Sequence, residues 1–305
     1  MKTKSQRIPI TLHRSAGVKY CDNEPLTFGV PFADGVLPAD VPIRAVTADG
    51  RELPIQTSCM TTWNKDLRFV KWLLVDTQCD PSHDVIHLEY DAESAALEPA
   101  FEDTPQITAT EADGILTIDT GPLRLRVRTN FDLWKHRESD SVIAGCQVRT
   151  VDGWRDALHG VGILLYMKDQ HGNAYDSLGV SPAPRVIVEE QGPLRVCVRI
   201  DGHHRSPAGV LFCPYRLRLH LYAGKTDLRI FHTFIFDQDP TRVELAAIGM
   251  RVAARPGDGA RAAVGTEDGA ARWADNWRSL SLLQSDDRRY SVSLDGTPFG
   301  EGGRF

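Results

Sequence analysis

The sequence has no apolar run that approaches the roughly 20 residues a helix needs to cross a bilayer. Its 305 residues also lack long basic runs, and 35 Lys and Arg against 41 Asp and Glu give a net charge of −6. Such a chain is a poor nucleic-acid binder, because neutralising phosphates requires clustered positive charge. We therefore expect neither a membrane nor a nucleic acid as its partner.

Several familiar motifs are missing too. The chain has no P-loop, no G-x-G-x-x-G after a strand and no G-x-S-x-G elbow, and none of its six cysteines form a C-x-x-C pair. His83 and His87 are the nearest approach to a metal motif, but on a strand they would lie about 13 Å apart. We expect no cofactor and no metal.

The basic start, Met1–Arg7, leads into no apolar segment. The sequence therefore predicts no secretory signal and a cytoplasmic location. In that compartment the cysteines are expected to be reduced, mostly buried thiols rather than a disulfide framework.

What the sequence does contain is a period of two. Polar and apolar residues alternate over several segments, and Asp-Gly or His-Gly turn signals lie between such segments. Strict alternation is typical of a strand with one face on a core and one in water. The fold class predicted is all-β. The clearest alternating segments are Arg7–His13, Arg124–Arg128, Arg195–Ile200 and Tyr215–Leu221.

Two domains are predicted. Short strands over residues 1–95 suit a small barrel or sandwich, and longer strands over 96–305 suit a large antiparallel sandwich. The boundary is placed near residues 92–105, where Asp91–Glu98 reads as a short helix or a polar linker before two prolines. Residues 253–274 are rich in Ala, Gly, Arg and Asp and read as an irregular loop with room for a short hairpin.

Several segments, in their order and spacing, resemble the exo-rhamnogalacturonan-lyase-like family. They are the loop Gly29–Leu37, the segment Leu53–Gln56, Trp63 with the strand Val70–Asp76, the segment Glu190–Arg195, and the stretch Tyr222–Phe234.

The resemblance implies an N-terminal RIFT barrel, a central β-sandwich and a C-terminal α/α toroid, and it implies β-elimination on acidic, rhamnogalacturonan-type glycans. This sequence contains no helical region that could form the toroid. We therefore expect a separate helical toroid segment as a partner and a sandwich truncated at its C-terminal end. The alternative function is a non-catalytic carbohydrate-binding or scaffold fragment.

β-Elimination requires a cation that neutralises the uronate carboxylate, a base that removes the neighbouring proton, and an acid for the leaving oxygen. Arginine suits the first task because its planar fork matches a carboxylate. Arg199, Arg216 and Arg218 lie at strand spacing and are predicted to bind substrate. The alternative for these side chains is a solvated face paired with cross-strand carboxylates.

Proton transfer is assigned to His232, His204 and Tyr215. His204 follows a strand in what reads as a loop, and the alternative is an exposed loop histidine. His232 gains interest from its match to the family pattern; its alternative is a partly buried strand histidine. Trp134 and Trp154 flank loops and are predicted to stack on sugar rings, although either could simply pack.

Overall fold

The computed structural model describes residues 6–13, 20–64, 67–90, 105–131, 141–179, 182–257, 261–265, 271–286 and 289–302. Over these ranges all regular structure is β, as predicted, and no helix is present that could cross a membrane. In chain order the strands are β1 (Gln6–Thr11), β2 (Glu24–Pro31), β3 (Ile43–Thr47), β4 (Glu52–Leu53), β5 (Ile55–Thr62), β6 (Val70–Cys79), β7 (Val85–Tyr90), β8 (Thr108–Ala112), β9 (Ile115–Asp119), β10 (Leu123–Arg128), β11 (Ile143–Thr150), β12 (Gly153–Asp156), β13 (Leu158–Asp169), β14 (Ala174–Asp176), β15 (Arg185–Gln191), β16 (Arg195–Arg205), β17 (Leu211–Tyr222), β18 (Leu228–Phe234), β19 (Leu245–Ala254), β20 (Arg261–Gly265), β21 (Ala271–Asp275), β22 (Leu280–Gln284), β23 (Tyr290–Leu294) and β24 (Thr297–Gly302).

The first seven strands form two small antiparallel sheets around one apolar cluster. One sheet has the order β1-β7-β3-β4 and the other β2-β6-β5. Alternation in β7 buries Ile86, Leu88 and Tyr90 and leaves the intervening side chains half-exposed. This cluster is separate from the apolar cluster of the later strands. The predicted boundary near residues 92–105 falls almost wholly outside the described residues and stays a prediction.

The strands from β8 to β19 build an antiparallel sandwich. One sheet has the order β12-β11-β10-β9-β8; the other has the order β18-β17-β16-β14-β13-β19, with β15 also on β16. Leu125 of the first sheet and Val198 and Leu219 of the second are fully buried in a shared core. Because successive side chains alternate between faces, the arginines between these residues point outward. The outer faces of the two sheets therefore point in opposite directions.

The strands after residue 260 form a two-stranded sheet, β20-β21, and a three-stranded sheet, β22-β23-β24. Val264, Tyr290 and Val292 form their own small apolar cluster. The stretch expected to be an irregular loop thus contains the end of β19 and the hairpin β20-β21.

Two of the segments that carry the family resemblance, Leu53–Gln56 and Glu190–Arg195, meet at the junction between the small N-terminal sheets and the sandwich. The Gln56 carboxamide oxygen accepts hydrogen bonds from the backbone N–H groups of Leu194 and Arg195, at 3.0 and 2.9 Å. It does so beside Gly192, where an added Cβ would lie 2.3 Å from the Gln56 carboxamide carbon. Gln78 donates to the Ala223 carbonyl oxygen at 2.9 Å. These contacts fix the start of β16 and the end of β17, the two strands that carry the predicted arginines.

Candidate functional site

The three predicted arginines lie together on the outer face of the seven-stranded sheet. Arg199 of β16 is opposite Arg218 of β17, and Asp201 is opposite Arg216, in one antiparallel register. Their side chains keep 22% (Arg199), 33% (Arg218) and 37% (Arg216) of their exposure. Inward-facing Val198, Ile200, Leu217 and Leu219 hold these strands on the core. This set, Arg199, Arg216 and Arg218, is called the arginine face below.

Two carboxylates share the arginine face. Glu189 accepts from Arg218 at 2.6 Å and from Arg199 at 2.7 Å, while Asp201 lies 2.9 Å from Arg216 and 3.1 Å from Arg199. The hydrogen bonds from Arg218 and Arg199 lower the pKa of Glu189 to about 2, against the opposing effect of burial. The cross-strand pairing considered for these arginines is therefore present, with three guanidinium groups for two carboxylates.

An aromatic ring borders the arginine face. Phe231 of β18 is opposite Arg218 and keeps 51% of its exposure. Its ring meets the ring of His220 edge-on, with centroids 5.2 Å apart. An exposed ring can pack on the apolar face of a sugar, and the guanidinium groups beside it can bind the carboxylate of an acidic sugar.

His220 also belongs to this surface, as its spacing two residues beyond Arg218 on the same strand indicates. Its Nδ1 lies 3.1 Å from Arg195 Nη1, which can only donate, so Nδ1 accepts and the proton is on Nε2. Nε2 is 3.7 Å from the sulfur of Cys197. Burial, together with the charges of Arg195, Arg229 and Arg218, lowers the pKa of His220 to about 4. At neutral pH His220 is therefore uncharged, with no ring nitrogen free to act as a base.

The loop position expected for His204 is wrong. His204 lies within β16, is fully buried, and sits where the register between β16 and β17 shifts. Cys213 is the extra residue of this bulge, with φ of 36°, and its carbonyl accepts a 2.7 Å hydrogen bond from His204 Nδ1. His204 thus satisfies a carbonyl that the bulge leaves out of the ladder, and its Nε2 has no partner among the described residues.

The three residues predicted to transfer protons do lie together. The His204 ring centroid is 5.3 Å from that of Tyr215 and 5.8 Å from that of His232. Burial lowers the pKa of His204, lowers that of His232 to about 4, and raises that of Tyr215. All three are therefore uncharged at neutral pH. They face the inner side of the sheet, however, whereas the arginine face is on its outer side.

Trp154, one of the two predicted tryptophans, does not lie with the arginine face. Trp154 belongs to β12 in the opposite sheet, where its ring lies 4.2 Å from the guanidinium carbon of Arg124. Trp134 falls outside the described residues. All six cysteines lie among the described residues, and none of them is in a disulfide. Nowhere in the described ranges do three or more His, Cys, Asp or Glu side chains come together as metal ligands.

An antiparallel sandwich with apolar inner faces and charged outer faces, preceded by two small sheets, defines an all-β protein built on a central sandwich. The profile of the PcRGLX-like protein central beta sandwich domain matches residues 107–261, half of the chain. The chain belongs to this family of rhamnogalacturonan-lyase-like proteins. None of the curated proteins matches it.

Proposed function

We propose that this protein acts on acidic, rhamnogalacturonan-type glycans by β-elimination, and that the arginine face neutralises the uronate carboxylate. The observation that carries the proposal is the excess of one guanidinium on an open face beside the exposed ring of Phe231. Family membership agrees with a polysaccharide as the partner.

Arg216 is the group best suited to meet the carboxylate. It is the most exposed of the three arginines, and its one ionic partner among the described residues is Asp201. Arg199 and Arg218 are both held by Glu189, which fixes their planes. A uronate that binds Arg216 would therefore compete with one carboxylate on a preorganised surface.

The proton-transfer residues remain a proposal of their own. His232 is the most accessible of its cluster and lies on β18, the edge strand of the sheet. Because side chains alternate between faces, a glycan that crosses this edge would contact both the arginine face and His232. His204 Nε2 keeps an unshared lone pair behind it. His232 would remove the proton beside the carboxylate as the bond to the leaving oxygen breaks, and Tyr215 would give its proton to that oxygen. The proton held by His232 would then return to Tyr215 through His204.

The alternative is recognition without catalysis. It is favoured by the burial of His204 and Tyr215, which keep 0% and 3% of their exposure. A binding surface needs only the arginine face and Phe231, whereas a lyase also needs a base that substrate can reach.

The test is the ultraviolet absorbance of the unsaturated uronate that β-elimination creates, with rhamnogalacturonan as substrate. We expect a rising signal from the wild-type chain and its loss in Arg216→Ala. Arg242→Ala, which removes an arginine 83% exposed and paired within its own turn, is the matched control. No signal with measurable glycan binding would establish the alternative. Equal loss in both variants would contradict the role of the arginine face.

A further inference from the structure

The outer face of the five-stranded sheet carries a second, independent set of polar side chains. In the antiparallel register one row crosses all five strands and a second row lies beside it across four. The first row is Thr108, Asp119, Arg124, Gln147 and Asp156, and the second is Thr110, Thr117, Arg126 and Gly145. Together most of these residues line an open groove of about 430 Å³.

The two arginines of the groove differ in their surroundings. Three contacts with two residues hold the Arg124 guanidinium. Asp119 accepts hydrogen bonds from its Nε and Nη2 at 3.0 and 2.7 Å, and the ring of Trp154 lies against its plane. Arg126, one residue pair further along the strand, is exposed and makes no ion pair with any described side chain. The groove therefore holds one positioned guanidinium and one that has no ionic partner within the described part of the chain.

The floor of the groove is open beside Arg126. Gly145 faces Arg126 across the β10-β11 pair, and a Cβ added at Gly145 would meet no atom within 4 Å. A larger residue at this position would fill the groove without a clash in the sheet. The missing side chain leaves room for a ligand next to the Arg126 guanidinium.

We infer that this groove is a second binding site for an acidic saccharide, separate from the arginine face. Arg126 would bind the carboxylate of a uronate. Sugar hydroxyls would bind to the hydroxyls of Thr108, Thr110 and Thr117 and to the amide of Gln147. A threonine hydroxyl and a glutamine amide each offer both a hydrogen-bond donor and an acceptor. The site goes beyond the proposed function, because the two faces point away from each other across the core.

Charge argues for a saccharide rather than a denser polyanion. Asp119 and Asp156 lie in the first row with Arg124, next to the row that contains Arg126. Two carboxylates would repel the closely spaced phosphates of a nucleic acid or a polyphosphate. Each residue of a uronate oligosaccharide has one carboxylate and several hydroxyls, so a single residue can meet the Arg126 guanidinium and the surrounding hydroxyl and amide groups.

The test is calorimetric titration of the full chain with trigalacturonate. We expect two sites per chain in the wild type. Arg126→Ala should lose one of them, or weaken it about tenfold, because a charge-assisted hydrogen-bonded pair is removed. Gly145→Glu should do the same by supplying an internal carboxylate for Arg126. Gly145→Ala, which meets no neighbour, is the matched folding control and should bind as the wild type does.

Arg216→Ala separates this inference from the proposed function, since it should remove only the site on the arginine face. One site in the wild type, retained in Arg216→Ala and lost in Arg126→Ala, would support the groove and count against the arginine face. Unchanged binding in both Arg126→Ala and Gly145→Glu would overturn the inference. It would also be overturned by an absence of trigalacturonate binding in the wild type, or by equally tight binding of inorganic phosphate or of the methyl-esterified trimer.

Discussion

Arg195 and Asp76 form an ion pair in which both side chains are almost fully buried. Nε of Arg195 is 2.6 Å from Oδ1 of Asp76, with side-chain exposures of 3% and 5%. Thr27 donates to the same oxygen at 2.5 Å, and Arg195 Nη1 continues to His220. The pair therefore links the N-terminal sheets, through β6, to the strand that carries Arg199. It anchors the arginine face to the rest of the protein.

Asp76→Ala is expected to destabilise the protein by about 3–5 kcal/mol, because it leaves the buried Arg195 charge without compensation. Urea unfolding at neutral pH, followed by tryptophan fluorescence, measures the change.

The control is the double replacement Asp76→Leu with Arg195→Met. Removing both charges avoids the unpaired group, so it should cost clearly less than Asp76→Ala alone. A double variant that is less stable than the single one would show that the pair contributes more than it costs to bury.

Stability should fall in mild acid, and His232 should contribute to this loss together with His220 and His204, whose pKa values burial also lowers. Burial lowers the folded-state pKa of His232 to about 4, below the value near 6.5 of an unfolded histidine. Between these values the unfolded state binds the extra proton, so stability is lost as pH falls from about 6.5 to about 4. The loss due to His232 is on the order of 2 kcal/mol. Unfolding free energies across this window should vary less in His232→Leu than in the wild type.

His159 provides the matched control, since it is exposed at the start of β13. His159→Gln should keep the wild-type dependence on pH. If His232→Leu keeps it as well, the imidazole of His232 is solvated in the folded protein and the lowered pKa is wrong.

The periodicity of the sequence was enough to predict the all-β class and the shared face of Arg216 and Arg218, which lie two positions apart on one strand. Both depend only on the period of two along single strands. The partners of these arginines depend on register between strands, and Glu189 approaches Arg218 across 29 positions of chain. A single sequence contains no signal for that pairing.

His204 illustrates a different limit. Its neighbours alternate as a strand does, but the extra residue Cys213 in β17 shifts the pairing and turns His204 onto a carbonyl of the bulge. A bulge of one residue leaves no compositional trace. The same holds for the junction, where Gln56 meets Arg195 because of tertiary packing alone.

Glu189 should contribute to stability above pH 4.5. Its folded-state pKa of about 2 lies below the ordinary value of 4.5, so this contribution is complete above 4.5 and is lost as pH falls toward 2. After allowance for solvent screening the effect is on the order of 1 kcal/mol. Glu189→Gln should be less stable than the wild type at pH 7, and the difference should shrink in acid.

Glu301 is exposed on β24 and offers the comparison. Glu301→Gln should follow the wild-type unfolding curve at every pH. A constant difference between Glu189→Gln and the wild type from pH 7 to pH 2 would mean that Glu189 acts through shape rather than charge.

Gly202 should be intolerant of any side chain. It is opposite Tyr215 in the β16-β17 register, and an added Cβ would lie 2.5 Å from both Cζ and Oη of the Tyr215 ring. Because the ring is buried, it cannot swing into solvent, so Gly202→Ala should cost about 1–3 kcal/mol in unfolding free energy.

Gly145→Ala provides the matched control on the facing sheet: with nothing near its Cβ, it should be neutral or stabilising by up to about 1 kcal/mol. Combining Gly202→Ala with Tyr215→Leu should recover part of the cost, because the smaller side chain clears the contact. Equal stability of the two alanine variants would show that the Tyr215 ring does not contact Gly202. The packing that places Tyr215 beside His204 would then be wrong as well.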